Sequence, residues 1–167
     1  VIERPPTPSS ITAGAANPLW DYSLRLYAVA GVAECCIALQ DHHAANVNLL
    51  LLCCWSGQSG VALNDIALCS ALEAIADWED RAVQPLRQRR RSLDPSVPQN
   101  AAERKRLLVS ELRAERHQQD LLYAWFCAAK QGGARSSRQT IIANLNSYAL
   151  LLAATKGAFT PLLDAAL

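Results

Sequence analysis

Two apolar stripes in this chain are broken by side chains that carry charge or hydrogen-bonding capacity. Between Ala101 and Lys130, Leu108, Leu112, Leu122 and Phe126 recur at helical spacing. Glu115 and Gln119 occupy the positions between them, with Arg116 at the edge. In "DIALCSALEAIADWEDRAV" the run Leu68, Leu72, Ile75 continues to Leu86 through Glu79. A buried charge costs several kcal/mol unless it is paired and hydrogen-bonded. These residues therefore either meet in a network, with Glu79 or Glu115 against Arg116, or lie where helices overhang the core. A pocket lined by Glu79, Glu115, Arg116 and Gln119 is the reading that would give an enzyme or a small-ligand binder.

The second cluster is basic. Arg87, Arg89, Arg90 and Arg91 are followed, after a loop, by Arg104, Lys105 and Arg106. Such a patch can contact phosphates, but no aromatic residues interleave with it for base stacking. Glu103, Glu111 and Glu115 on the next segment are ready partners if the two helices lie antiparallel, so pairing within the chain is favoured over nucleic acid.

The carboxylates Glu73, Asp77 and Asp80 stack on one helical stripe and suggest a Mg²⁺ site. That stripe lies opposite Leu68, Leu72 and Ile75, which makes a solvated face the simpler reading. His42 and His43 are adjacent and diverge, and neither they nor His117 follow a Glu at the spacing that places two ligands on one helix face. No metal and no cofactor is expected. No Gly-rich phosphate loop, nucleophile elbow or Ser/His/Asp pattern occurs. With these motifs missing, a non-enzymatic interaction or adaptor module is the expected function. Its expected partner is a protein or a second copy of the chain.

The elements that must position these residues read as helices throughout. Asn17-Pro18 pairs a capping side chain with a proline at the first helical position, and Leu19, Tyr22, Leu26 and Tyr27 come after it at helical spacing. Val32 to about Asp41 reads as a second helix. In "ALQDHHAANVNLLLLCCWSG" the polar patch is a turn; Asn46 can cap a third helix that is apolar all round and should be central. Gly57 and Gly60 are expected to end it. Asn64 can cap a fourth helix, which Pro85 kinks or restarts. "DPSVPQN" is a loop, Gly132-Gly133 stops the long helix, and Ser136 or Ser137 opens another to about Ala154. The tail "AFTPLLDAAL" should dock on the rest. The four tryptophans read as core or rim packing.

Hydrophobic residues form 51% of the 167, charged residues 19%, and only 7 are glycine, which suits a folded helical domain and not a disordered chain. The net charge of +1 gives no global pull towards nucleic acid or membrane. No apolar run approaches the ~18 residues of a membrane span. "VIERPPTPSS" shows no signal-peptide pattern and reads as disordered. The six cysteines fall in apolar runs without a C-x-x-C spacing, so free buried thiols and a reducing cytoplasm are expected. The expectation is an all-α, compact single-domain bundle of six to eight helices over 17–167, with a central apolar helix and a disordered lead-in over 1–16.

Several blocks, "NPLWDYSLRLYA", "ALQDHHAANVNLLLLCCWSG", "WEDRAVQPLRQRRRSL" and "ELRAERHQQDLLYAW", resemble in wording and order a family of small proteobacterial helical proteins, a domain of unknown function. The resemblance spans most of Pro18 to Trp125. It implies a bacterial, cytoplasmic helical protein and carries no activity with it.

Overall fold

A computed structural model describes residues 17–129 and 137–167. The lead-in over 1–16, the Gly132-Gly133 stop and Ser136 lie outside the described residues. Among the described residues eight α-helices occur in chain order: α1 (Pro18–Tyr27), α2 (Val32–His43), α3 (Val47–Gln58), α4 (Asp65–Trp78), α5 (Gln84–Ser92), α6 (Ala101–Ala128), α7 (Ser137–Leu151) and α8 (Thr160–Ala166). The described residues contain no strand. The fold is all-helical.

Asparagine sets three of the starts. Asn17 Oδ1 accepts from Leu19 N (3.0 Å) and Trp20 N (3.2 Å), Asn46 Oδ1 from Leu49 N (3.1 Å), and Asn64 Oδ1 from Ala67 N (2.9 Å). Each bond satisfies a backbone donor that the first helical turn leaves open. Between α1 and α2 the chain turns through 101° at Gly31, whose φ of 86° lies in the left-handed region that glycine occupies without strain.

Helix α3 is the centre. Leu49, Leu50, Leu52, Cys53 and Cys54 are fully buried, and α1, α2, α4, α6, α7 and α8 all touch it. With no polar face to present, it leaves water only by being surrounded. Its principal neighbour is α7, which runs antiparallel. Ile141 of α7 packs on Gly57, Asn144 binds the end of α3, and Tyr148 Oη accepts the Asn46 N–H at its start (2.9 Å).

Gly57 does not end α3, as its type suggests; it lies inside the helix. A Cβ there would stand 2.7 Å from the backbone N and Cα of Ile141, so the glycine is a contact surface for α7. Gly60 (φ 75°) ends the helix, with Val61 N donating to Ser56 O and Gly60 N to Gly57 O, both 2.9 Å. Asn144, fully buried, then holds the adjoining loop. Its Nδ2 donates to Cys53 O, Ser56 Oγ and Val61 O, and its Oδ1 accepts from Leu63 N at 2.7 Å.

Pro85 has a larger effect than a kink. Its ring cannot donate to Arg81 O and crowds that carbonyl, and the helix widens to a π turn over Glu79–Val83, with Gln84 N bonding Glu79 O. A π turn uses about one residue more than an α turn, so α5 is rotated by roughly 100° relative to an unbroken helix. The expected interior residue Leu86 is only half-buried, and Arg87 is buried in its place.

The tail docks as α8, burying Phe159, Leu162 and Ala166. All six cysteines are free thiols, but Cys69 and Cys127 are exposed, against the expectation of burial. Trp20 is buried, and Trp55, Trp78 and Trp125 are half-buried. Trp55 meets Tyr123 and Phe126 edge to face. Among the described residues no single helix is long and apolar enough to cross a membrane.

Gly57→Ala should lower stability by about 1–3 kcal/mol or more through overpacking. Because the clash is with backbone atoms of Ile141, shortening that side chain in Gly57→Ala/Ile141→Ala should restore little. Urea denaturation of the single and double variants checks both.

Candidate functional site

The interruptions on α4 and α6 meet. Arg87, carried inward by the π turn, places Nε 3.1 Å from Glu111 Oε1, Nη2 2.8 Å from Glu115 Oε1, and Nη1 3.7 Å from Glu79 Oε1. Arg90, one turn on, reaches Glu111 Oε2 at 2.6 Å. Glu79 Oε1 also accepts from Gln84 Nε2 at 2.6 Å. Burial disfavours the Arg87 charge, but Glu115 and Glu111 outweigh it and hold its pKa above the ordinary value. Burial pushes the Glu115 carboxyl up, and Arg87 opposes that rise only in part.

Beside these charges runs a chain of amides. Gln118 Nε2 donates to Glu79 Oε2 (2.5 Å), and Gln118 Oε1 accepts from Asn48 Nδ2 (2.7 Å) and Asn46 Nδ2 (3.3 Å). Asn48 Oδ1 accepts from Gln119 Nε2 at 2.9 Å. Asn48, Gln118 and Gln119 are all buried. Sequence reasoning missed Asn48, Gln84 and Gln118 as members. On α6 the signal was present, since positions 111, 115, 118 and 119 share one helical stripe.

The residues singled out on chemical grounds separate accordingly. Glu79, Glu115 and Gln119 come together through Arg87, Gln118 and Asn48. Arg116 does not join them: one residue beyond Glu115, it points about 100° away. It pairs with Asp120 (3.3 Å) and lies 4.9 Å over the Trp20 ring. Asp120 also accepts from Asn17 Nδ2 at 2.7 Å, so this group ties α1 to α6. The four arginines of the basic run divide: Arg87 and Arg90 face inward, Arg89 reaches Glu103 (3.4 Å), and Arg91 reaches Asp41 (2.8 Å). Glu73, Asp77 and Asp80 are exposed, and Asp77 pairs with Arg81. His117 meets Trp78 edge to face with ring centres 4.4 Å apart, while His42 and His43 close α2. No group of His, Cys, Asp and Glu among the described residues is arranged to hold a metal ion.

A cavity of about 360 Å³ opens between α1, α2, α3, α5 and α6. Leu24, Tyr27, Ile37, Val47, Leu51, Leu108 and Leu112 form its apolar walls; Ser23, Asn48, Glu115 and Gln119 supply polar atoms, and Arg90, Arg91 and Arg104 a basic wall. Ser23 Oγ and Gln119 Oε1 are buried out of reach of water and have no hydrogen-bond partner in the protein. A second cavity of about 400 Å³, lined by Glu79, Gln84, Arg87 and Asn46 among others, lies on the α4 side. Gln40 and Arg91 line both.

A sequence model of the family described as "Protein of unknown function (DUF2390)" matches residues 18–122. The chain belongs to that family. The matched span includes every charged member of the Arg87 network and the cavity-lining Gln119. No curated protein and no solved structure matches the chain.

Arg87→Met leaves three buried or half-buried carboxylates without their shared cation and should cost about 3–5 kcal/mol, whereas Arg89→Ala, in an exposed pair, should change stability by less than about 0.5 kcal/mol. Chemical denaturation separates the two. In a carboxyl NMR titration Glu115 should titrate above its ordinary 4.5. The sign is set by the raised value: stability linked to the protonated form is complete below the ordinary pKa and falls as pH rises through the raised one.

Proposed function

We propose that this member of a family of unknown function binds a small, largely apolar molecule in the cavity between α1, α2, α3 and α6. The observation that carries this reading is the cavity of about 360 Å³ itself, walled largely by apolar side chains of α1, α2, α3 and α6 with Asn48 and Glu115 among its polar lining. A largely apolar cavity with a few convergent polar groups is the usual form of a ligand site.

The cavity walls come from helices packed on α3, so the site is built on rigid elements. Glu115 supplies a carboxyl with a raised pKa, which leaves acid–base chemistry open to a bound molecule; binding is the part supported by geometry. The nucleic-acid reading gains little, since Arg87, Arg89, Arg90 and Arg91 each have a carboxylate partner within the chain. Association with a protein partner or a second copy is a companion proposal, resting on the helical surface and the lack of catalytic motifs. The free cysteines support a reducing, cytoplasmic setting.

The fluorescent probe N-phenyl-1-naphthylamine tests the cavity. It should bind saturably at one site per chain. Ala33→Trp, which fills the cavity from α2, should weaken binding at least about tenfold, a loss of about 1.4 kcal/mol. Leu150→Trp, on an exposed position of α7, should leave it unchanged. Equal binding to all three proteins, or none to the wild type, ends the reading.

A further inference from the structure

One charged side chain on the wall of the first cavity keeps hydrogen-bond donors in reserve. Arg91, in the last turn of α5, spends only Nη2, on Asp41 Oδ1 at 2.8 Å and Gln40 Oε1 at 3.3 Å. Its Nε and Nη1 make no hydrogen bond among the described residues, and a guanidinium can only donate. The Arg91 side chain is 49% exposed and that of Asp41 40%, so these donors are within reach of water and the pair that holds them is weak. The neighbouring guanidiniums are committed to the fold. Arg90 holds Glu111, and Arg104 Nη1 donates to the carbonyls of Arg90 and Leu93 where α5 ends.

The two carboxylates that line the cavity, Glu111 and Glu115, are already held. Arg87 Nε and Arg90 Nε take the two oxygens of Glu111, and Arg87 Nη2 takes Glu115 Oε1. Burial also favours the neutral form of Glu115, which weakens its opposition to a further anion. Among the lining residues three arginines stand against two glutamates, so a cationic head group would meet more repulsion there than an anionic one. Arg87 shows that one guanidinium of α5 can serve two carboxylates at once, Glu111 through Nε and Glu115 through Nη2. Arg91 has the same capacity unspent. At about 360 Å³ the cavity is near the lower end of the roughly 300–1,000 Å³ of ligand sites, which sets a short apolar body. The geometry assigns to this cavity a small carboxylate, its apolar body among Leu24, Ile37, Leu51 and Leu112 and its anionic head accepting from Arg91 Nη1 or Nε while Asp41 keeps Nη2. This assignment rests on the ligand-binding reading above and adds the chemical class.

Hexanoate, 1-hexanol and hexylamine share one apolar body and differ in the head group. Each is tested at neutral pH for displacement of N-phenyl-1-naphthylamine from the wild-type protein, with calorimetry as a direct check. Because Arg91 also lines the second cavity, the readout is displacement from the site that Ala33→Trp blocks. Hexanoate should bind at least about tenfold more tightly than hexylamine, with hexanol between them, because a charge-assisted hydrogen bond is about twice as strong as a neutral one. Arg91→Gln should remove most of the advantage of hexanoate over hexanol. Asp41→Asn, which relieves Arg91 of a competing anion, should instead strengthen hexanoate a few-fold. Hexanol should bind equally to both variants and to the wild type, and opposite effects on hexanoate are not what mere loosening of the fold would produce. Hexylamine or hexanol binding as tightly as hexanoate, a preference unaltered in Arg91→Gln, or no gain in Asp41→Asn would each overturn the carboxylate assignment. If the probe binds in the Ala33-dependent way and none of the three displaces it, the cavity reading stands and the carboxylate assignment fails. If the probe does not bind, both fail.

Discussion

A helix with no polar face enters the middle of a bundle together with the open backbone donors of its first turn, and those donors must be met where water does not reach. Helix α3 meets this constraint with Asn46, which caps Leu49 and whose own N–H is taken by Tyr148. The cap has a second end, Nδ2, that also needs acceptors. Gln118 and Glu79 provide them. From that single requirement the polar interior spreads outward, through Asn48 and Gln119 on one side and through Glu79, Arg87, Glu111 and Glu115 on the other. Much of what looks like a site is thus continuous with the capping of the central helix.

The charged part of that interior is held by compensation. Three carboxylates and two guanidiniums lie within one region of low water access. Each ion there is costly alone and tolerable only when its hydrogen-bonding positions are filled. Arg87 does most of the filling because its planar fork serves several carboxylate oxygens at once. The surface pairs on the same helix, Arg89 with Glu103 and Arg91 with Asp41, are a different case, being largely solvated and weakly stabilising. Four arginines written close together in sequence thus have two physical roles, separated by the direction each faces.

The π turn connects these observations. It arises from one proline whose ring cannot fit the α-helical hydrogen-bond pattern, and it moves Arg87 onto the face that periodicity assigned to Leu86. Without that extra residue the helix would bury a leucine against Glu111 and Glu115, and Glu115 would lack its cation. Wide turns of this kind are found at functional sites more often than elsewhere in helices. Here the turn begins at Glu79, the residue that orients the amide chain.

Residue types and spacing alone already show the helices of this chain, the asparagine caps at 17, 46 and 64, the central burial of Leu49 to Cys54, and the anomaly of charge on the α4 and α6 stripes. These are local or periodic properties, set by interactions within a few residues. Pairing of the arginines with Glu103, Glu111 and Glu115 was legible as well, because antiparallel neighbours joined by a short loop bring those positions together. What only the tertiary structure decided is which polar groups face each other: that Arg87 and not Arg116 answers Glu79 and Glu115, that Gly57 is a seat for Ile141, and that Gln119 closes the amide series on Asn48. Each depends on helix rotation, and a rotation of roughly 100° comes from one residue more or less in a turn, which periodicity averages over and packing does not.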